Sequence, residues 1–201
     1  MVEQKPSVRE KIILATIEGI EEQGIQSLTV RDIAQRADVN IAAINYHFGS
    51  KDNLMEIALH QTIDEAFVNM ITEELGQKDR DPASALCGFF TALLSGLRQF
   101  PGLTRAHLYG PLMENDFRGV FPVRFKTFIT NLHQKCREFF REMPDKEIQL
   151  VLMEILSAVI FPGLTSGLFE EYTGIDFDDP EAQKNYVTHL VHRYFGEFLS
   201  S

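Results

Sequence analysis

Apolar residues recur at intervals of three and four along most of the chain, a spacing that predicts helices almost from end to end. The first runs from about residue 7 to 23, with Ser7 as its cap and Ile13, Ile17 and Ile20 on one face. Gly24 should end it, with Ile25 packing back as in a Schellman motif. A long fourth helix opens at Gly49 and Ser50. Ser50 caps it, Asp52 favours its positive end, and Leu54, Ile57, Ala58, Ile71 and Leu75 carry its apolar face. Residues 76–81 read as a linker, and Pro82 opens a fifth helix striped by Leu86, Phe90, Leu93 and Leu97. A short helix between Pro101 and Pro111 carries Arg105, His107 and Tyr109, whereas Phe117 to Phe121 has no clear pattern because Gly119 and Pro122 interrupt it. A seventh helix is expected from about Pro122 to Met143. The eighth, capped by Asp145, is apolar nearly all round from Leu150 to Phe161, so it should be buried on several sides. Pro162, Gly163 and Gly167 should kink it and Gly174 close it. In the acidic loop before Pro180, Asp178 or Asp179 is expected to cap a ninth and last helix; a hard-metal site is the weaker alternative.

Between the first and fourth helices, Thr29 to Phe48 has the pattern of a helix-turn-helix. Thr29 with Asp32 three residues on can cap a helix whose buried stripe is Ile33, Ala34 and Ala37. Asp38 falls where the chain must turn, and Asp tolerates the left-handed backbone region. Asn40 then caps a second helix, with Ile41, Ile44 and Phe48 inward and Ala42, Ala43, Asn45, Tyr46 and His47 outward. Small residues let a helix approach a surface closely. Asn can read a base edge, while Tyr, His and the following Lys51 can bind phosphate oxygens. The plain alternative is a helical corner with polar residues facing water.

Leu28 to Leu54 resembles the DNA-binding region of TetR/AcrR-family transcriptional regulators. The resemblance rests on Thr29, Ile33, Ala34, Ala37, Val39, Tyr46, His47, Phe48, Ser50, Lys51 and Leu54 in register, with Ala15 and Gly24 upstream. Two positions depart from that pattern: Asp38 stands where a turn glycine is usual, and Asn45 where a tyrosine is common. The resemblance implies an all-α protein of two domains. Residues 6–66 would be a three-helix DNA-binding domain and 67–201 a larger helical domain for ligand binding and dimerisation. It also implies a DNA face of Thr29, Arg31, Asn40, Ala42, Ala43, Asn45, Tyr46, His47 and Lys51.

Charge complicates that picture. The chain carries a formal net charge of -10, and residues 1–60 hold six basic against nine acidic side chains. Glu18, Glu21 and Glu22 lie late in the first helix, while Lys5, Arg9, Arg31 and Lys51 can gather near the recognition face. Weak non-specific binding and strongly salt-sensitive specific binding follow. Cys87 and Cys136 are far apart and without partners at ligand spacing, so neither a disulfide framework nor a metal site is expected. No signal peptide is visible, because early charges interrupt any apolar run, and no membrane helix is expected, because Ile155 to Phe169 is broken and short of the length needed to span a bilayer. A cytoplasmic location is expected. No phosphate loop, HExxH motif or nucleophile elbow occurs, so neither enzyme activity nor a cofactor is expected; an all-α enzyme and an acidic helical adaptor remain the alternatives.

Two further expectations concern partners. The apolar surface of the last two helices, near residues 145–172 and 180–199, suits a two-fold four-helix bundle, hence a homodimer reading a pseudo-palindromic operator. Phe67, Met70, Phe89, Phe90, Leu93, Phe125, Phe128 and Met153 exceed what a minimal core needs, and suggest a cavity for a small hydrophobic or amphipathic effector. Arg105, His107, Tyr109 and Asn131 are its candidate polar anchors, and release from DNA by that effector would make the protein a repressor.

Overall fold

The computed structural model describes residues 6–76 and 80–199, with side chains at all of these except 65, 68 and 69. Every regular element among them is a helix: α1 (Val8–Gln23), α2 (Val30–Ala37), α3 (Ile41–Phe48), α4 (Lys51–Leu75), α5 (Pro82–Gln99), α6 (Pro101–Met113), α7 (Val120–Phe139), α8 (Asp145–Leu164), α9 (Gly167–Thr173) and α10 (Pro180–Leu199). The chain divides into two compact units. One comprises Met1–Glu65 with Phe100–Arg124, the other Ala66–Gln99 with Phe125–Ser201. A single cut at 66/67 therefore omits the return of α6 to the first unit. The linker expected at 76–81 lies partly outside the described residues, as does Lys5.

In the first unit α1, α2, α3, α6 and the start of α4 enclose one apolar cluster, including Ile12, Ile20, Leu28, Ile33, Ile44 and Leu54. Ser7 and Glu10 form a reciprocal capping box on α1, and Gly24, at φ 82°, ends it with its N–H on the Ile20 carbonyl. Gly24 is not in the left-handed helical region that a Schellman motif requires. α6 begins against the end of α1. A Cβ on Gly102 would lie 2.2 Å from the Glu21 carbonyl oxygen, so only glycine fits. The Glu21 carboxylate accepts the Gly102 and Leu103 N–H groups at 3.1 and 2.9 Å, satisfying donors that a helix start leaves orphaned. α6 also runs on through Gly110 and Pro111 to Met113, longer than the sequence pattern suggests.

In the second unit α5 packs on α8 and α10 around Phe89, Phe90, Leu132, Ile155, Val187 and Phe195. Asp81 accepts the Ser84 N–H at 3.0 Å and opens α5. Asp179 accepts from Glu181 and Ala182 and is the cap of α10, while Asp178 instead pairs with Arg98 at 2.7 Å. No group of three metal-binding side chains occurs among the described residues. Cys136 is buried and its thiol is pushed up to about 12 by that burial; Cys87 is half-buried and also raised, so neither is an activated nucleophile.

Three expectations about the later helices need correction. α7 starts at Val120, two residues ahead of Pro122, because proline is tolerated in a first turn, and it ends at Phe139. The expected kinked eighth helix is two elements: α8 stops at Leu164, and α9 restarts at Gly167. Nor is α8 buried all round. Ile148, Leu152, Ile155 and Val159 face inward, but Leu150, Met153 and Phe161 are 44, 59 and 55% exposed. By length and composition alone α8 would also pass for a membrane span, since only the charges near its start and Glu154 interrupt it, yet its inward face is part of the second unit's core.

Candidate DNA-binding face

Caps fix the helix-turn-helix at every boundary. Thr29 receives the Asp32 N–H at 3.3 Å, and the Asp32 carboxylate takes the Thr29 N–H at 2.8 Å and its hydroxyl at 2.6 Å. Those Thr29 hydrogen bonds hold the Asp32 carboxyl below its usual range. They also occupy the hydroxyl proton, so Thr29 is exposed but committed first to α2. Asp38 adopts φ 53°, ψ 50°, the left-handed turn in place of glycine. Asn40 Oδ1 accepts the Ala43 N–H at 2.8 Å, which leaves its amide N–H groups outward.

α3 has only eight residues, and Ile44 and Phe48, one turn apart, anchor it at 1 and 4% exposure. At about 100° per residue, the position opposite that pair is 46. Tyr46 is accordingly 86% exposed, and Ala42, Asn45 and His47 flank it in solvent with Ala43 half-buried. The rings of Tyr46 and His47 meet edge to face at 5.1 Å. Ile41, expected inward, is 41% exposed, because as the first residue of α3 it precedes the turn that the core covers. Arg31 is exposed, Lys51 half-buried at the start of α4, and the Arg9 guanidinium lies 5.5 Å over the Phe48 ring.

One residue that the sequence reading missed holds this face in place. Asn53 donates its side-chain amide to the Phe48 carbonyl at 2.8 Å while its own N–H goes to Ser50 Oγ, tying the end of α3 to the first turn of α4. A polar residue three beyond a capping serine was the only available signal. Two acidic residues of α1, Glu21 and Glu22, also have structural employment: Glu22 pairs with Arg36, and Glu21 serves α6. Their charge is thereby turned to the frame of the unit rather than to α3.

Of the twelve residues expected to line an effector cavity, nine belong to the second unit and three, Arg105, His107 and Tyr109, to the first. Phe89, Phe90 and Phe128 are at most 2% exposed, with Leu93 buried beside them; Phe67 stacks on Phe128 at 4.2 Å, and Phe89 on Phe128 at 5.8 Å. Phe125 and Met70 pack against the same cluster. Met153, Asn131 and Arg105 are exposed. His107 and Tyr109 belong to the first unit, where they line a cleft of about 350 Å³. Spacing along a helix marks a face, but it does not say whether the facing side chains leave room.

A model of the family of bacterial regulatory proteins named for TetR matches residues 12–58. The chain is 39% identical over 59 residues to the HTH-type transcriptional regulator BetI 1 of Chromohalobacter salexigens, an alignment covering 29% of each chain. It spans less than half the length of the curated relatives it matches. Solved structures share the fold over nearly the whole chain. A putative TetR-family regulator from Mesorhizobium loti gives a TM-score of 0.73 at 12% identity, covering 94% of this chain and 96% of the other. The multidrug binding protein EbrR, complexed with malachite green, gives 0.63 at 21% identity over 92 and 98%. The segment that matches the family model coincides with α1 to the start of α4, and the likeness to the solved structures shows that the fold extends over both units.

Proposed function

We propose that this protein is a cytoplasmic, ligand-responsive repressor that binds a pseudo-palindromic operator as a homodimer. The observation that carries this is α3: a helix anchored by two buried residues, tied to its neighbours by caps, and presenting Ala42, Asn45, Tyr46 and His47 to solvent. Asn45 and the two alanines approach base edges in a major groove. Tyr46, His47, Arg31, Asn40 and Lys51 contact phosphates, with Thr29 contributing only through its remaining lone pair. The exposed apolar face of α8, together with α10, supports pairing of two copies. Two recognition helices then meet successive major grooves about 34 Å apart. A small hydrophobic or amphipathic effector is supported by the malachite green with which EbrR, a protein of similar fold, is complexed. A differential affinity of about 1 to 3 kcal/mol between DNA-bound and free forms weakens operator binding by roughly 5- to 150-fold. Selection from randomised duplexes at low salt tests the reading: enrichment of one inverted repeat is expected, and an intact protein that enriches no sequence overturns it.

A further inference from the structure

The cleft of about 350 Å³ in the first unit is built on the helix that supports the recognition helix. One wall is the opening of α4, with Lys51, Asp52, Met55, Glu56 and Leu59; the other is the second half of α6 with the segment that follows it to Pro122. Its charge is one-sided. Asp52, Glu56, Glu114 and Asp116 face a single cation, Lys51. Asp116 is paired with exposed Arg118 at 3.2 Å, whereas Asp52, Glu56 and Glu114 are in no ion pair among the described residues. His107 adds no positive charge. Burial lowers its pKa to about 4, so the ring is neutral near pH 7. Thr62 Oγ lies 3.0 Å from the Leu59 carbonyl oxygen and 3.0 Å from His107 Nε2, so the neutral ring is held by the α4 hydroxyl. The remaining surface is apolar and aromatic, with Met55, Ala106, Val120 and Phe121, and Tyr109 closing one side through a hydrogen bond from Gln26.

Acceptors without matching donors, beside an aromatic wall, select a cation that carries N–H groups and an apolar body. Hydrogen bonds between charged partners are about twice as strong as neutral ones, and an aromatic face attracts a nearby cation. We propose that this cleft binds a small aromatic ammonium ion, and that its occupancy changes operator affinity because Lys51 and Asp52 open α4. The regulatory part rests on the DNA-binding reading; the binding part does not.

Three probes of one shape separate the chemistries: 1-naphthylmethylamine, 1-naphthylmethanol and 1-naphthoate. Each is titrated into the full chain carrying methyl-labelled methionine. The amine is expected to shift the Met55 methyl signal, to leave exposed Met153 unmoved, and to bind at least tenfold tighter than the alcohol; naphthoate should not bind. Glu56→Gln combined with Glu114→Gln should weaken the amine about tenfold and leave the alcohol unchanged. An unmoved Met55 signal, equal binding of naphthoate, or indifference to the double variant overturns the site. Saturating amine should alter affinity for an operator selected without ligand by fivefold or more, and an unchanged affinity overturns the regulatory part. A chain that selects no operator defeats the functional reading while the Met55 result stands.

Discussion

Two helices of this protein leave a face in solvent, and the faces differ in kind. α3 turns Asn45, Tyr46 and His47 outward, whereas α8 turns Leu150, Met153 and Phe161 outward. Polar groups on α3 lose nothing in water while waiting for a partner. Apolar groups on α8 are disfavoured there, and clustered exposed apolar residues mark association surfaces. On the proposed function, the contrast is between a face for a partner met intermittently and one for a partner held continuously.

The largest effect should come from placing charge on the α8 face. Met153→Glu with Phe161→Glu is expected to raise the dimer dissociation constant at least a hundredfold, since burying an unpaired charge costs several kcal/mol. Sedimentation velocity would read it; an unaffected dimer breaks the comparison on that side. On the other side, Asn45→Ala with Tyr46→Ala should lower operator affinity by roughly ten- to a hundredfold, at about 1 to 3 kcal/mol for a base contact, while leaving the thermal midpoint almost unchanged. Fluorescence anisotropy with the selected duplex measures the first quantity and calorimetry the second.

The frame behind α3 has its own tests. His107 has a folded pKa of about 4 against an ordinary value of 6.5. Above pH 6.5 both states are neutral; as pH falls from 6.5 toward 4 the unfolded chain takes up the proton first, so stability should drop, by about 2 kcal/mol at pH 5. Denaturant titrations at pH 7.5 and 5 should show this drop, and His107→Gln should diminish it. Gly102→Ala should cost about 1 to 3 kcal/mol in the same assay, because its methyl meets the Glu21 carbonyl. A neutral result would mean that α1 and α6 part easily.

Local chemistry made much of the first unit legible. The caps at Ser7, Thr29, Asn40 and Ser50 and the turn at Asp38 depend on residues at most three apart in sequence, so neighbours alone decide them. The outward set on α3 followed from periodicity in the same way. Ile41 escaped because a helix end is covered or not by whatever lies beyond it.

What sequence by itself determined was the helical class, most helix starts and most of the outward face of α3, all consequences of short-range spacing. What only tertiary structure decided was occupancy of space. Phe67, Phe89, Phe125 and Phe128 of the second unit, read as a cavity wall, pack on one another with ring centroids 4.2 to 6.3 Å apart. A cleft lies where α4 meets α6, between residues some fifty positions apart. Apolar side chains carry no local sign of whether a distant neighbour fills the volume beside them, because packing is settled by shape across the fold rather than by position along the chain.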